Sequence, residues 1–289
     1  ETRSILLYIE GVSDARSFLS GLRVAARLKP VIVVKSGRND TGTRAATSHT
    51  GALAGADNVF DAAIERAGAV RVKSVAQLFA AAQTLASGTR VEGSRLGIIT
   101  NGGGPGVMAA DRAQDIQVPL AELSAETHDK LKDALPPYWS HANPVDILGD
   151  APPERYRAAT ETILADRNVD GVLVLLTPQA MTGPTGCAKA VIEARGDSVK
   201  PVLACWMGET SVQKARELFA EHRLPSFQTP ERAVEAFGYL AHYRRNQQLL
   251  LQTPGPLSDA RKPDVEGARL IIEGVLASGR SLLSDTESK

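Results

Sequence analysis

The chain has 289 residues, of which 43% are hydrophobic and 23% are charged, a composition typical of a globular protein with a sizeable core. Lys and Arg together number 33, as do Asp and Glu, so the formal net charge is zero. A zero balance and the lack of a long apolar stretch exclude a general attraction for nucleic acid and a membrane span, so any anion site must be local.

Apolar runs that are typical of strands alternate with helical periodicity. The predicted strands are Ser4–Ile9, Val31–Lys35, Val70–Val72, Leu96–Thr100, Gly171–Leu176, Pro201–Trp206 and Ser226–Gln228. The predicted helices are Ser13–Leu28, Ala52–Ala67, Ser74–Ala86, Val107–Asp115, Ala125–Leu135, Pro153–Asp166, Ala188–Ala194, Ser211–Glu221 and Pro230–Gln248. Strands that are apolar throughout indicate parallel sheets covered on both faces. The order predicts an α/β protein with two flavodoxin-like domains, each a doubly wound parallel sheet.

The strand–helix alternation restarts near residue 92, which divides the chain into three parts. We predict a first flavodoxin-like domain over 1–92, a second over 93–250, and a linker with one amphipathic helix over 251–289. The chain opens directly before a strand, without a leader or an initiator Met. We therefore expect a piece of a longer cytoplasmic polypeptide, with the first domain truncated at its N-terminus.

The strongest local signal is a histidine, His49, in a loop of small residues directly before a predicted helix. The loop follows a buried strand, at the sheet edge where open α/β folds bind ligands. Ser48, Thr50 and Gly51 flank the ring, and a helix start supplies unpaired N–H groups that favour an anion. A neutral imidazole can attack phosphorus and later release it. The residues alone fit two interpretations equally well: a histidine that carries a phosphoryl group, and a solvent-exposed histidine at a helix start.

A second signal is a glycine-rich turn between a strand and a helix. Its candidate phosphate-binding residues are Asn101, Gly102, Gly103, Gly104 and Gly106. Glycines allow close backbone approach, and the helix start supplies donors. The turn is neither a Walker A motif nor a dinucleotide fingerprint, because the spacing and the required partner residues are absent. A plain tight turn is the alternative.

Polar residues at other strand ends complete the candidate site. Glu10 ends the first strand and could orient the imidazole of His49, or it is a solvated acid. Asn143, Asp146 and Thr177 could line a substrate pocket, or they form turns. The five histidines and two cysteines lack metal-ligand spacing, so no metal site is predicted, and both cysteines are expected to be small buried hydrophobes.

Three separated segments resemble the NDP-forming acyl-CoA synthetases, which include ADP-forming acetyl-CoA synthetase and succinyl-CoA synthetase. The segment from Lys35 to Gly55 resembles their phosphohistidine loop, and Ile99–Asp111 resembles a phosphate-binding helix of their other flavodoxin-like domain. Tyr8–Gly11 matches the strand end that carries the glutamate partner. Ser281–Lys289 resembles the opening of the ATP-grasp domain.

The resemblance implies a ligase that relays a phosphoryl group through His49 between acyl phosphate and ADP, with Glu10 as the partner of the histidine. It further implies coenzyme A, ATP or ADP and Mg²⁺ as ligands of the full-length protein, none held tightly by this chain alone. The partners implied are CoA-binding and ATP-grasp domains of the same polypeptide, a small acyl substrate and, as an open alternative, a second copy in a homodimer.

Two other functions are kept as alternatives. Fused proteins of this order that carry a GNAT acetyltransferase domain suggest a regulatory region of a protein lysine acetyltransferase. An FMN-binding flavodoxin is disfavoured, because the chain lacks a hydroxyl-rich phosphate loop and well-placed stacking aromatics.

Overall fold

The structure, a computed structural model, describes residues 2–38, 56–252, 264–284 and 286–288. Residues Glu1–Leu251 form one compact unit and Gln252–Lys289 a second. All strands of the described residues are parallel and belong to two sheets of the first unit. This confirms the predicted α/β class with two flavodoxin-like parts.

The first sheet has the order β1-β2-β3. Its strands are β1 (Ile5–Ile9), β2 (Val31–Lys35) and β3 (Val70–Val72). β2 pairs with both neighbours and is buried along its whole length. Burial on both faces explains why this strand reads as an uninterrupted apolar run in the sequence.

The second sheet has five parallel strands. They are β4 (Leu96–Thr100), β5 (Val145–Asp146), β6 (Gly171–Leu176), β7 (Val202–Trp206) and β8 (Ser226–Phe227). The spatial order β5-β4-β6-β7-β8 is the flavodoxin-like order, in which the direction of winding reverses between the first and third strands. The topological switch point therefore lies between the carboxyl ends of β4 and β6, where such folds bind ligands.

Helices cover both sheets of the first unit. They are α1 (Ala15–Leu28), α2 (Asp57–Arg66), α3 (Val75–Ala86), α4 (Gly103–Asp115), α5 (Ala125–Ala134), α6 (Pro153–Ala165), α7 (Pro184–Arg195), α8 (Gln213–Glu221) and α9 (Pro230–Leu251). Side-chain caps fix three of their starts: Asp14, Ser74 and Ser124 each accept a hydrogen bond from a backbone N–H in the first turn.

The longest helix, α9, packs against both sheets. Phe237 packs beside Gly171 at the start of β6. At the other end, Asn246 donates to the carbonyl of Ala69 at 2.7 Å, directly before β3. Leu250 is buried in the core of the first sheet. A helix that belongs in sequence to the second sheet thus also covers the first.

Several boundaries differ from the prediction. α4 begins at Gly103 rather than Val107, so the predicted glycine turn is largely the first turn of a helix. α7 begins at Pro184 rather than Ala188, since proline fits the first turn, where no N–H is needed. β5 is absent from the predicted strands, because two residues are too few to show a strand period.

The second unit contains α10 (Val265–Ala277), capped by Asp264, whose side chain accepts from the N–H of Gly267 at 2.8 Å. Most of the predicted linker lies outside the described residues. Within the described ranges, no helix has both the length and the apolar character that crossing a membrane requires.

Candidate functional site

Asn101 joins the two strands that flank the switch point. Its side-chain amide donates to the carbonyl of Thr177 at 2.9 Å, and its carbonyl accepts from the Thr177 N–H at 2.7 Å. Asn101 is almost completely buried. Asn101, which the sequence predicts to bind phosphate, therefore lies at the switch point. Both ends of its amide are bonded to the backbone after β6, so its side chain holds the ends of β4 and β6 together.

Thr100 shapes the turn that leads into α4. Its hydroxyl accepts from the Gly102 N–H at 3.0 Å and donates to the Gly102 carbonyl at 2.7 Å. Gly102 is the N-cap of α4 and supplies no side-chain cap. Because the first N–H groups of a helix lack intrahelical partners, the N-terminus of α4 leaves backbone donors available.

The four glycines of this turn have different surroundings. Gly103 and Gly104 are exposed, and a Cβ at Gly104 would meet nothing within 4 Å. Gly106 is buried, and a Cβ there would lie 2.9 Å from Cγ2 of Thr100. Gly102 is half-buried, and a Cβ there would lie 3.2 Å from Oγ1 of Thr177. Gly103 and Gly104 can therefore present N–H groups to an anion, whereas Gly106 permits close helix–strand packing.

Asp146 lies beside the N-terminus of α4. One carboxylate oxygen accepts from the Leu148 N–H at 2.9 Å. The other lies 3.5 Å from where a Cβ on Gly103 would stand. A carboxylate is favoured beside a helix N-terminus. Asp146 is thus placed at the predicted pocket, where its negative charge would compete with a bound anion for the same donors.

The side chain of Asn143 bonds backbone groups of β4 and Ala121 and does not line the predicted substrate pocket. Its amide nitrogen donates to the carbonyls of Leu96 and Ala121, and its carbonyl accepts from Ile98 N–H, each at 2.9 Å. β5 pairs only with Ile99 and Thr100 of β4. At the preceding residues of β4, the Asn143 side chain takes the place of a strand partner. Both amide hydrogens are used, so the side chain serves to hold β4.

Glu10 directly follows β1 and lines an open depression of about 510 Å³ that also includes Tyr8, Ser13 and Phe18. Within the described residues, its carboxylate makes no hydrogen bond and no ion pair. His49, Ser48, Thr50 and Gly51 lie outside the described residues, so the predicted pairing of Glu10 with the imidazole stays a prediction.

The carboxyl ends of both sheets point the same way, as the course of α9 shows. α9 follows β8 and runs back across the second sheet. Glu235, in its second turn, accepts from Gln77 in the first turn of α3, directly after β3, at 3.4 Å. Asn246, near its end, bonds Ala69, directly before β3. α9 is therefore antiparallel to the strands of both sheets, which places Glu10 and the α4 N-terminus on the same side.

Sequence reasoning missed a pair of buried cations, Lys35 at the carboxyl end of β2 and Arg71 in the neighbouring strand β3. Lys35 is 5% exposed, and its Nζ donates to the carbonyls of Ser36 and Gly37 at 3.2 and 3.3 Å. It lies 5.7 Å from the ring centroid of Phe60, while the Arg71 guanidinium lies 5.1 Å from the same centroid. A cation within about 6 Å of a ring face is attracted by its electrons.

Arg71 in turn holds the start of α2. It donates to the carboxylates of Asp57 and Asp61, both at 2.5 Å, and to the Asp57 carbonyl at 3.0 Å. Lys35 thus secures the chain that enters residues 39–55, and Arg71 secures the chain that leaves them. The sequence signal was a lysine at the end of an apolar strand, which indicated only a strand end.

Neither cysteine contributes to the site. Both are buried and unpaired. Burial raises the pKa of Cys187 to about 11 and that of Cys205 to about 12, because desolvation disfavours the thiolate. The prediction of inert, buried cysteines is confirmed. In the described part of the chain, no group of three or more His, Cys, Asp or Glu side chains could hold a metal ion.

The chain matches two family models. Residues 1–85 match the succinyl-CoA ligase like flavodoxin domain, and residues 96–251 match the Ligase-CoA domain. The chain therefore belongs to the succinyl-CoA ligase-like family that these two domains define. The resemblance inferred from the motifs is thereby confirmed at the level of the family.

Relatives and solved structures agree with this family assignment. The chain is 41% identical over 244 residues to acetate–CoA ligase (ADP-forming) I of Archaeoglobus fulgidus, covering 84% of this chain and 34% of that protein. It is 36% identical over 241 residues to the α subunit of acetate–CoA ligase (ADP-forming) I of Pyrococcus furiosus, covering 83% and 52%. Its structure is similar to the dinucleotide-forming acetyl-coenzyme A synthetase 1 of Ca. Korarchaeum cryptofilum in complex with phosphate and ADP. That match has a TM-score of 0.76 and 34% identity, and covers 88% of this chain and 56% of that one.

The chain spans 34% and 52% of the lengths of these two curated relatives. Both names describe an ADP-forming acetate–CoA ligase or its α subunit.

Proposed function

We propose that this chain is the part of an ADP-forming acyl-CoA synthetase that relays a phosphoryl group through His49. One observation carries the proposal most directly. At the switch point of the second sheet, Thr100 and Asn101 fix a helix N-terminus that presents the backbone of Gly103 and Gly104 without a side-chain cap. Such a terminus favours a phosphate dianion.

The proposed reaction has three balanced steps. Acyl-CoA and phosphate exchange to give acyl phosphate and free coenzyme A. A nitrogen of neutral His49 then attacks the phosphorus of acyl phosphate, and the bond to the acyl oxygen breaks, which releases the carboxylate. An oxygen of the β-phosphate of ADP finally attacks the phosphohistidine, which gives ATP and restores the imidazole. The α4 N–H groups would stabilise the charge on the phosphoryl oxygens.

Other residues have supporting parts in the proposal. Glu10 would accept the N–H of the second imidazole nitrogen, fix the tautomer and stabilise the cation that phosphorylation creates. Thr177 would contribute its hydroxyl beside Gly102. The acyl substrate, coenzyme A and the nucleotide with Mg²⁺ would also contact CoA-binding and ATP-grasp domains, whose presence in the whole protein is part of the proposal.

Phosphoryl labelling tests the relay. The full-length protein is incubated with γ-labelled ATP and magnesium, and the adduct is assayed for acid lability and base stability, which are the properties of phosphohistidine. We expect wild type and His222→Ala to label equally, since His222 is an exposed histidine at the end of α8. His49→Ala should not label.

Equal labelling of His49→Ala would refute the relay. Glu10→Gln distinguishes the orientation of the His49 imidazole from the attachment of the phosphoryl group. It should slow the labelling reaction and leave the final amount of phosphoryl adduct near that of wild type. The alternative of a regulatory region in a GNAT protein lysine acetyltransferase stays a prediction, and a protein that transfers acetyl groups to lysine without labelling would favour it.

A further inference from the structure

A second cavity lies away from the switch point. α3 forms one wall, the segment 223–228 forms the other, and α9 forms the base of a groove of about 890 Å³. We call it the arginine groove, because Arg216, Arg223 and Arg232 line it. Its volume lies within the range of small-molecule sites, about 300–1,000 Å³.

The charge of the arginine groove is positive. Arg223 and Arg232 are exposed, and their side chains make no hydrogen bond or ion pair with the described residues. Glu235 is the carboxylate among the lining residues, and it is already paired with Arg112. The unpaired guanidinium groups therefore leave a local field that favours an anion, and their planar donors match phosphate oxygens.

Tyr239 and Arg216 also line the groove. Burial and the nearby Glu235 carboxylate raise the pKa of Tyr239, so its hydroxyl keeps its proton. Arg216 is held in place because its Nη2 donates to the carbonyls of Trp206 and Gly208. Arg216 therefore forms a fixed part of the groove wall.

The groove also has an aromatic, apolar side. Phe79 of α3 is 62% exposed, and Phe227 of β8 is partly exposed. A large exposed aromatic ring beside unpaired arginines is suited to a ligand with a planar ring and a separate anionic group. Inorganic phosphate alone would use the arginines and leave Phe79 uncovered.

We propose that the arginine groove binds a nucleoside phosphate, with the phosphates on Arg223 and Arg232 and the base against Phe79. This site is separate from the α4 N-terminus and from His49. The inference does not rest on the phosphoryl relay, since the groove would bind its ligand even if His49 carried no phosphoryl group.

Calorimetric titration of the 289-residue chain tests the site, with ADP, pyrophosphate and adenosine as probes. We expect saturable binding of ADP to one site, weakened about tenfold by Arg223→Ala and more by the double change with Arg232→Ala, as expected for the loss of charge-assisted bonds. Phe79→Ala should weaken ADP and leave pyrophosphate unchanged.

The matched control is Arg244→Ala, an exposed arginine on the same helix outside the groove, which should bind ADP like wild type. Thermal unfolding of every variant checks that it is folded. The proposal is overturned if ADP does not saturate at millimolar concentration, if the double arginine variant binds as wild type does, or if pyrophosphate binds as tightly as ADP. His49→Ala should keep ADP binding, which separates this outcome from failure of the relay.

Discussion

Replacing Gly106 by Ala should destabilise the fold, although alanine is the better helix former. The added Cβ would lie 2.9 Å from Cγ2 of Thr100 and 3.6 Å from Cβ of Pro144. Ordinary contacts begin at 3.4 Å. Thr100 is buried in a central strand, and its β-branched side chain has little rotamer freedom, so the backbone of α4 must move.

The magnitude follows from two opposing effects. Overpacking costs about 1–3 kcal/mol, while the gain from replacing glycine in a helix is about 0.5–1 kcal/mol. Gly106→Ala should therefore lower the free energy of unfolding by about 1 kcal/mol, and at most by about 2.5 kcal/mol. In a protein of this size about 2–4 °C of melting temperature corresponds to each kcal/mol, so a fall of about 2–4 °C, and at most about 10 °C, is expected.

Gly104→Ala is the matched control, because a Cβ there meets nothing within 4 Å. It should leave the melting temperature unchanged or raise it by a few degrees. Differential scanning calorimetry of the three proteins at pH 7 measures both effects. If Gly104→Ala is as unstable as Gly106→Ala, or if Gly106→Ala matches wild type, the assignment of the two glycines to donor presentation and packing is wrong.

Three further predictions concern stability and reactivity. Asn143→Ala should lower the free energy of unfolding by about 2–4 kcal/mol in urea titration, because the Ile98 N–H and the Ala121 carbonyl lose their hydrogen bonds to the side chain, while the Leu96 carbonyl still accepts from the Ala121 N–H. Burial opposes ionisation of Asp170, but hydrogen bonds from Arg95 outweigh it and hold the pKa of Asp170 below its ordinary value. Wild type should therefore be more stable than Asp170→Asn at pH 7, and this difference in stability should disappear as the pH falls below about 4. Melting temperatures of the two proteins across this pH range measure it. A thiol reagent at pH 8 should modify Cys187 and Cys205 only after denaturation, and fast labelling of the native protein would contradict their burial.

The strands buried on both faces could be predicted from the sequence. Val31–Lys35 and Leu96–Thr100 have the same bounds in the sequence and the structure, because continuous burial produces a continuous apolar run. The short strand Val145–Asp146 could not be predicted. It is held by Ser140, whose hydroxyl accepts from the N–H of Asp146 at 2.9 Å, and no periodicity reports such a bond.

Glycine propensity gave the wrong start for α4. Four glycines indicated a turn, yet the helix begins at Gly103. The first residues of a helix need no intrahelical partner for their N–H groups, so the low helix propensity of glycine costs less there than in a helix interior. In addition, the Thr100 hydroxyl bonds both the N–H and the carbonyl of Gly102 and so fixes the start of the helix.

Partners distant in sequence limited the prediction of the site. The composition of the turn correctly indicated a place at a strand end, but the bonds between Asn101 and Thr177 join residues 76 positions apart. The same holds for Lys35 and Arg71, which meet at the ring of Phe60. Local pattern reveals which residues end a strand, whereas their partners depend on the packed sheet.

The course of α9 has a consequence for how this architecture can be divided. Gln247 donates to the carbonyls of Ala26 and Gly68, and Leu250 lies in the core of the first sheet. A gene split between the two sheets would strip the first sheet of this cover and expose its apolar surface to water. A division between the sheets would therefore need another chain to supply the same cover, whereas a cut beyond Leu251 leaves these contacts intact.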